Sequence, residues 1–75
     1  MNKYVVAWCS FFDNIIEQQV IEAPSAPEAV LKFMQVHMAN QEWVEELAKL
    51  PHTSEEEWLD AIEEEVYATF NVMKL

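Results

Sequence analysis

The first segment of the chain, KYVVAWCSFF at positions 3–12, is apolar at both sets of alternating positions. A strand that is apolar on both faces is typical of the middle of a sheet. Asp13 and Asn14 follow it, and both residue types tolerate the left-handed conformations of a two-residue hairpin turn. The more polar segment 15–23 then predicts a second strand at the edge of the sheet.

A capping signal opens the first of three predicted helices. Ser25 is a favourable N-cap, Pro27 lies in the first turn where its missing N–H is not needed, and Glu28 stands at the third helical position. We expect this helix to span 26–38, with an apolar stripe formed by Ala26, Val30, Phe33, Met34, His37 and Met38. One side of the helix should therefore face the core.

Two shorter helices are predicted over 41–50 and 54–65. The first is capped by Asn40 and ends before Pro51, because proline disfavours helical geometry in the residue that precedes it. Its inward residues are Trp43, Val44, Leu47 and Leu50. The second starts at a threonine or a serine and has glutamates in its first turn, where the helix dipole favours them.

The last segment, 66–74, switches to β-branched and aromatic residues with a period of two, which predicts a third strand. Because the first strand is apolar on both faces, the third strand is expected on its other side. The predicted fold is therefore α+β, with a three-stranded, mainly antiparallel sheet, strand 1 central, and two to three helices on one face. A parallel pairing of the terminal strands stays open if the helical region crosses over the sheet. With 75 residues, a single domain over 1–75 is expected.

The overall charge restricts the partners of this chain. Fourteen acids against four lysines give a net charge of −10, so direct binding to nucleic acid or to an anionic membrane would be repelled and a basic protein surface is favoured. The single cysteine excludes an internal disulfide. The apolar N-terminal stretch is too short for a membrane span or signal peptide, so a cytosolic protein is expected.

The acids are concentrated in the second and third predicted helices. Segment 42–65 holds ten acids and one lysine, a formal charge of −9. On helix 54–65 the apolar residues fall in one arc of about 100°, and five acids fall in an opposing arc of about 120°. We call the candidate partner-binding residues on both helices the acidic helical surface: Glu42, Glu45, Glu46, Glu56, Glu57, Asp60, Glu63 and Glu64.

Two interpretations of the acidic helical surface stay open. Glutamate is a good helix former, and exposed helix faces are commonly charged. An ordinary solvated face, however, mixes glutamate with lysine at spacings of four, whereas here like charges at 56 and 60, and at 60 and 64, repel. This favours docking onto the basic groove of a nucleic-acid-binding protein, either as a mimic of phosphate or as an electrostatically steered contact.

Catalytic chemistry has little basis in this sequence, and no enzyme, metal site or cofactor is predicted. Cys9 lies in the middle of an apolar strand and is expected to be a buried structural cysteine, His37 a core-edge residue and His52 a loop residue. No pair of these residues has the spacing of a zinc site. The chain contains no glycine, which excludes a glycine-rich phosphate loop.

An alternative function depends on the aromatic residues of the sheet. Trp8, Trp43 and Trp58 are most simply core residues. Helices cover one face only, however, so in the alternative interpretation the other face carries Tyr4, Trp8 and Phe12, together with Tyr67. Exposed aromatic patches usually mark interfaces. The chain would then be a structural or assembly module that forms a homodimer through this patch or through an open edge strand, with the acids serving solubility.

A glycine-free, acidic miniature domain with a hairpin, helices and a terminal strand resembles the small accessory proteins of bacteriophages. Some of these proteins inhibit host defence or transcription proteins by mimicking DNA. The resemblance is one of composition and organisation over the whole chain, and it carries no motif. It implies an inhibitory, anti-defence role and assigns no residue.

Overall fold

The computed structural model describes residues 1–10, 16–37, 40–66 and 68–75. Its elements are β1 (Asn2–Ser10), β2 (Ile16–Ala23), α1 (Ala26–His37), α2 (Gln41–Ala48), α3 (Glu55–Glu65) and β3 (Ala68–Lys74). All six predicted elements are present in the predicted order. The predicted hairpin turn, the end of the first strand and the end of the first helix lie outside the described residues. Helix α2 ends two residues earlier than predicted, because Lys49 already leaves helical geometry.

The sheet has the order β2-β1-β3, and both neighbouring pairs are antiparallel. The predicted central position of β1 is confirmed, and the parallel alternative for the terminal strands is wrong. β2 ends beside the start of β1, where Ala23 pairs with Asn2. The three helices carry the chain to the opposite end of the sheet, where Ala68 pairs with Ser10 and β3 begins. Because β3 starts beside the end of β1, the two strands are antiparallel.

Polar residues cap the starts of the helices as the sequence predicts. Ser25 Oγ accepts the Glu28 backbone N–H at 3.5 Å, which caps α1, and its hydroxyl donates to Glu28 Oε1 at 3.0 Å. Asn40 accepts a backbone N–H at 3.1 Å at the start of α2, and Ser54 accepts one at 3.2 Å at the start of α3. Each cap satisfies an N–H that the helix cannot pair, a contribution of about 1 kcal/mol. None of the helices in the described ranges is long and apolar enough to cross a bilayer.

Helix α1 is the central helix of the fold. It contacts all three strands on one side and both other helices on the other. Its buried residues therefore extend beyond the predicted stripe and include Pro27, Ala29, Val30, Leu31, Phe33 and Met34. Helices α2 and α3 add Val44, Leu47 and Ile62 to the same core. The acid-bearing helices thus lie on the side of the molecule away from the open face of the sheet.

The helices cover the face of β1 that carries Tyr4, Val6 and Trp8. Tyr4 and Trp8 are each only 6% exposed, so the prediction that they line the open face is wrong. The Trp8 ring stacks on Phe33 at 5.5 Å and on Phe70 at 5.6 Å between ring centroids. Phe33 comes from α1 and Phe70 from β3, so the covered face offers Trp8 aromatic contacts from two elements.

Candidate functional site

The acidic helical surface is fully solvent-facing. All eight of its carboxylate side chains are exposed, whereas Val44, Leu47 and Ile62 on the same two helices are buried. On α2 and α3 the acidic side chains and the buried apolar side chains therefore lie on opposite faces, as the helical period predicts. The partner-binding role of these acids stays a prediction.

Trp58 links the two acid-bearing helices through a hydrogen bond and stacks on the loop between them. The indole N–H of Trp58 in α3 donates to the backbone carbonyl of Leu47 in α2 at 3.0 Å. The His52 ring lies parallel to the Trp58 indole, with 4.3 Å between centroids. Sequence reasoning assigned His52 no role beyond the loop, since nothing in the local pattern shows that this loop folds back over Trp58.

The charges of the acidic helical surface are not neutralised within the described parts of the chain. The ion pair found there, between His37 Nδ1 and Glu17 Oε2 at 3.2 Å, lies at the β2 edge and involves none of the eight acids. Lys32 donates instead to the backbone carbonyl of Glu22 at 2.7 Å. The neighbouring bases Lys49 and His52 form no ion pair with the eight acids in the described residues, so the carboxylates face solvent.

Repulsion within the surface is greatest at Asp60. Its neighbours three and four positions away on α3 are Glu56, Glu57, Glu63 and Glu64, all exposed acids. Residues at these spacings are adjacent on a helix, and each like-charged pair destabilises it by a few tenths of a kcal/mol. Asp60 therefore stands in a local field that works against folding.

We expect Asp60→Lys to stabilise the protein by roughly 1.5 kcal/mol at low ionic strength, because it converts four repulsive pairs into attractive ones. Urea unfolding at low and high salt measures this change, and the gain should shrink with salt as screening increases. Asp60→Asn is the matched control and should give a smaller gain. Equal stability of the Lys variant and the natural protein at low salt would contradict the repulsive field.

One carboxylate of the surface is also part of the start of α3. The side-chain hydroxyl of Thr53 and its backbone N–H both donate to Glu57 Oε2, the N–H at 2.9 Å. These two bonds favour the ionised carboxylate and hold the pKa of Glu57 below its ordinary value. Glu57 therefore stays charged under mildly acidic conditions.

A shallow groove of about 310 Å³ lies beside the acidic helical surface, between α1, α2 and the Trp58 ring. Leu31, Val44 and Ala48 give it an apolar floor, and Glu45 stands on its rim. The groove depends on the packing of three separate segments, so no local pattern in the sequence predicts it. It offers space for an apolar side chain next to the charged surface.

The predicted dimer residues do not form a common surface. Tyr4 and Trp8 are buried beneath the helices, so they are not accessible to a second chain. Phe12 and Tyr67 lie outside the described residues. A dimer of this protein would have to use residues other than Tyr4 and Trp8.

The other candidate residues for chemistry are dispersed. Cys9 lies half-buried on the open face of the sheet, so the prediction of a buried cysteine is wrong. At the β2 edge, His37 Nε2 lies 2.9 Å from Gln19 Oε1, and its ring packs on Phe33 with 4.3 Å between centroids. Within the described residues, no three His, Cys, Asp or Glu side chains are grouped so that they could hold a metal ion.

Comparison with known proteins adds no family to this description. No protein-family model, no curated protein and no solved structure matches the chain.

Proposed function

We propose that this protein is a small acidic inhibitor or modulator that docks its acidic helical surface onto the basic, nucleic-acid-binding groove of a partner protein. The observation that carries the proposal is the exposure of all eight acids, none of which forms an ion pair among the described residues. Maintaining such a surface costs stability on α3, which a purely solubilising role does not require.

The spacing of the charges suits a groove that binds a phosphate backbone. Glu56 to Glu64 spans eight residue steps, or about 12 Å of helix. Five carboxylates over this length correspond to one charge per roughly 2.4 Å, compared with one per about 1.7 Å along duplex DNA. Lysine and arginine side chains arranged for phosphates could therefore reach several of these carboxylates at once.

The proposal has three further parts. The protein acts in the cytosol, which its lone cysteine supports. It acts by occupying a surface, with no catalytic step and no cofactor, and it does not itself bind nucleic acid, because its charge repels phosphates. Its resemblance to bacteriophage accessory proteins favours a host defence or transcription protein as the target.

Charge reversal on α3 tests the proposal. The double variant Glu56→Lys/Glu63→Lys changes the net charge from −10 to −6. The control Glu17→Lys/Glu22→Lys makes the same change on β2, outside the acidic helical surface. Each form is immobilised and exposed to bacterial lysate at low salt, followed by a salt gradient. We expect the natural protein and the control to capture a DNA- or RNA-binding protein that leaves as salt rises, and the α3 variant to lose it.

The captured protein is then purified and its binding to duplex DNA is measured with increasing amounts of each form. Competition by the natural protein and the control, but not by the α3 variant, is the expected result. The proposal fails if affinity for the captured protein is unchanged between about 50 mM and about 500 mM salt, because a contact made by charge weakens over this range. It also fails if both double variants bind equally well.

A further inference from the structure

The face of the sheet opposite the helices carries an uncovered apolar cluster. Its members alternate with the core residues along the three strands, and we call them the open-face patch: Val5, Ala7, Cys9, Ile16, Val20 and Met73. Ile16 is 71% exposed, Val20 55% and Met73 61%, although all three are large apolar side chains. The central residues Val5, Ala7 and Cys9 are half-buried between them.

The register of the sheet brings these side chains together. Val5 lies opposite Val20 on one side and Met73 on the other, so one apolar row crosses all three strands. Cys9 lies opposite Ile16, and the small side chains of Ala7 and Cys9 line a shallow apolar hollow of about 150 Å³. A solvated face of an antiparallel sheet is ordinarily polar. The largest apolar patch on a monomeric protein is commonly about 300–600 Å² and is often functional, which marks this face as a candidate interface.

The distribution of charge indicates that a second copy of this chain covers the open face. Among the described residues, the open face carries one base and one acid, Lys3 and Glu22, which lie opposite each other in the register. The face is formally neutral, whereas segment 42–65 carries −9. Two copies that meet through their helices would bring like charges together. Two copies that meet through their open faces keep both acidic helical surfaces on the outside.

We propose that the open face is the interface of a two-fold symmetric homodimer, in which two three-stranded sheets form a six-stranded sandwich. Stacked sheets lie about 10 Å apart, and the helix layers add to the separation of the acids. This exceeds the Debye length of about 8 Å at physiological salt, so the acidic surfaces of the two copies do not oppose association. A two-fold contact needs one self-complementary patch, and a neutral apolar row satisfies this condition.

The area of the open face limits how tightly two copies are expected to associate. Three strands at about 4.8 Å spacing and about 25 Å of strand length cover roughly 350 Å² per copy in projection. Two copies together would cover roughly 700 Å², which is below the roughly 1,200 Å² at which standard interfaces begin and in the range of weak, transient contacts. We therefore infer a reversible dimer that dissociates on dilution.

Sedimentation velocity over a wide concentration range tests the dimer, with Val20→Lys and Met73→Lys placed on opposite strands of the open face. Val36→Lys is the matched control, because Val36 is 69% exposed on α1 and lies outside the open face. Each variant lowers the net negative charge by one, so loss of association cannot come from greater overall repulsion. We expect the natural protein and the control to approach twice the 8.8 kDa of one chain, and both open-face variants to stay monomeric.

Cys9 provides an independent measurement in the natural protein. It lies in the open-face patch, so its alkylation by a maleimide should slow as protein concentration rises, and this slowing should be lost in Val20→Lys. A natural protein that stays monomeric at the highest concentration overturns the proposal. So does a dimer that survives both open-face substitutions. A dimer lost in Val20→Lys and Val36→Lys but kept in Met73→Lys would mean pairing through the β2 edge, which also overturns it.

The dimer and the partner-docking function can fail separately. Glu56→Lys/Glu63→Lys should dimerise like the natural protein, because neither residue lies on the sheet. Val20→Lys should in turn keep its acidic helical surface and still compete with DNA for the captured partner.

Discussion

Phe33→Ala is expected to remove most of the stability of this protein. Phe33 is fully buried at the centre of α1, and its ring contacts the indole of Trp8. Truncating a buried phenylalanine costs about 3–5 kcal/mol, since transfer energy is lost and a cavity remains. A 75-residue domain has a total of only about 4–11 kcal/mol. The variant should therefore be partly or wholly unfolded at 37 °C.

Urea denaturation followed by tryptophan fluorescence and by circular dichroism measures this loss. The control is Val36→Ala, three residues further along the same helix, where the side chain is exposed and a change below about 0.5 kcal/mol is expected. A Phe33→Ala protein with the midpoint of the natural one would show that α1 does not pack on the sheet as described.

Trp8→Ala should be the second most damaging substitution, and its effect should be on folding. The side chain lies between Phe33 and Phe70 with nearly parallel rings on the Phe70 side, 7° apart. Loss of a buried tryptophan costs about 3–5 kcal/mol. The hypothesis that Trp8 lies in a dimer interface predicts instead a change in mass with the stability retained.

Thermal unfolding and sedimentation of the same sample distinguish these outcomes. Cys9→Ala is the neighbouring control for thermal unfolding only, because Cys9 points to the opposite face of β1 and is only half-buried. A double-mutant cycle uses the milder substitutions Trp8→Phe and Phe33→Leu. We expect their effects on the free energy of unfolding to be coupled by about 0.5–3 kcal/mol. Additive effects would contradict direct ring contact.

Much of the fold follows from local patterns. The capping residues Ser25, Asn40 and Ser54 start their helices as predicted, because a side-chain oxygen three residues before a free N–H acts within one turn of chain. The central position of β1 follows from its double apolar pattern. The exposure of the acids follows from helical periodicity alone.

Contacts between residues far apart in the sequence could not be predicted from local patterns. The predicted stripe of α1 was too narrow, since the sequence does not show that α2 and α3 cover its second side and bury Leu31. The contact of Trp58 with Leu47, and the stacking of His52, join residues that no periodicity relates. The groove beside the acidic helical surface results from the same long-range packing.

The sequence by itself determined the six elements, the position of β1 and the one-sided charge of the helices, because each depends on interactions within a few residues or on a simple period. Only the tertiary structure decided which face of β1 the helices cover. Both faces are apolar, and the choice depends on where α1 places Phe33 relative to Trp8. That placement buried the aromatic residues and left the aliphatic row of Val5, Val20 and Met73 open to a partner.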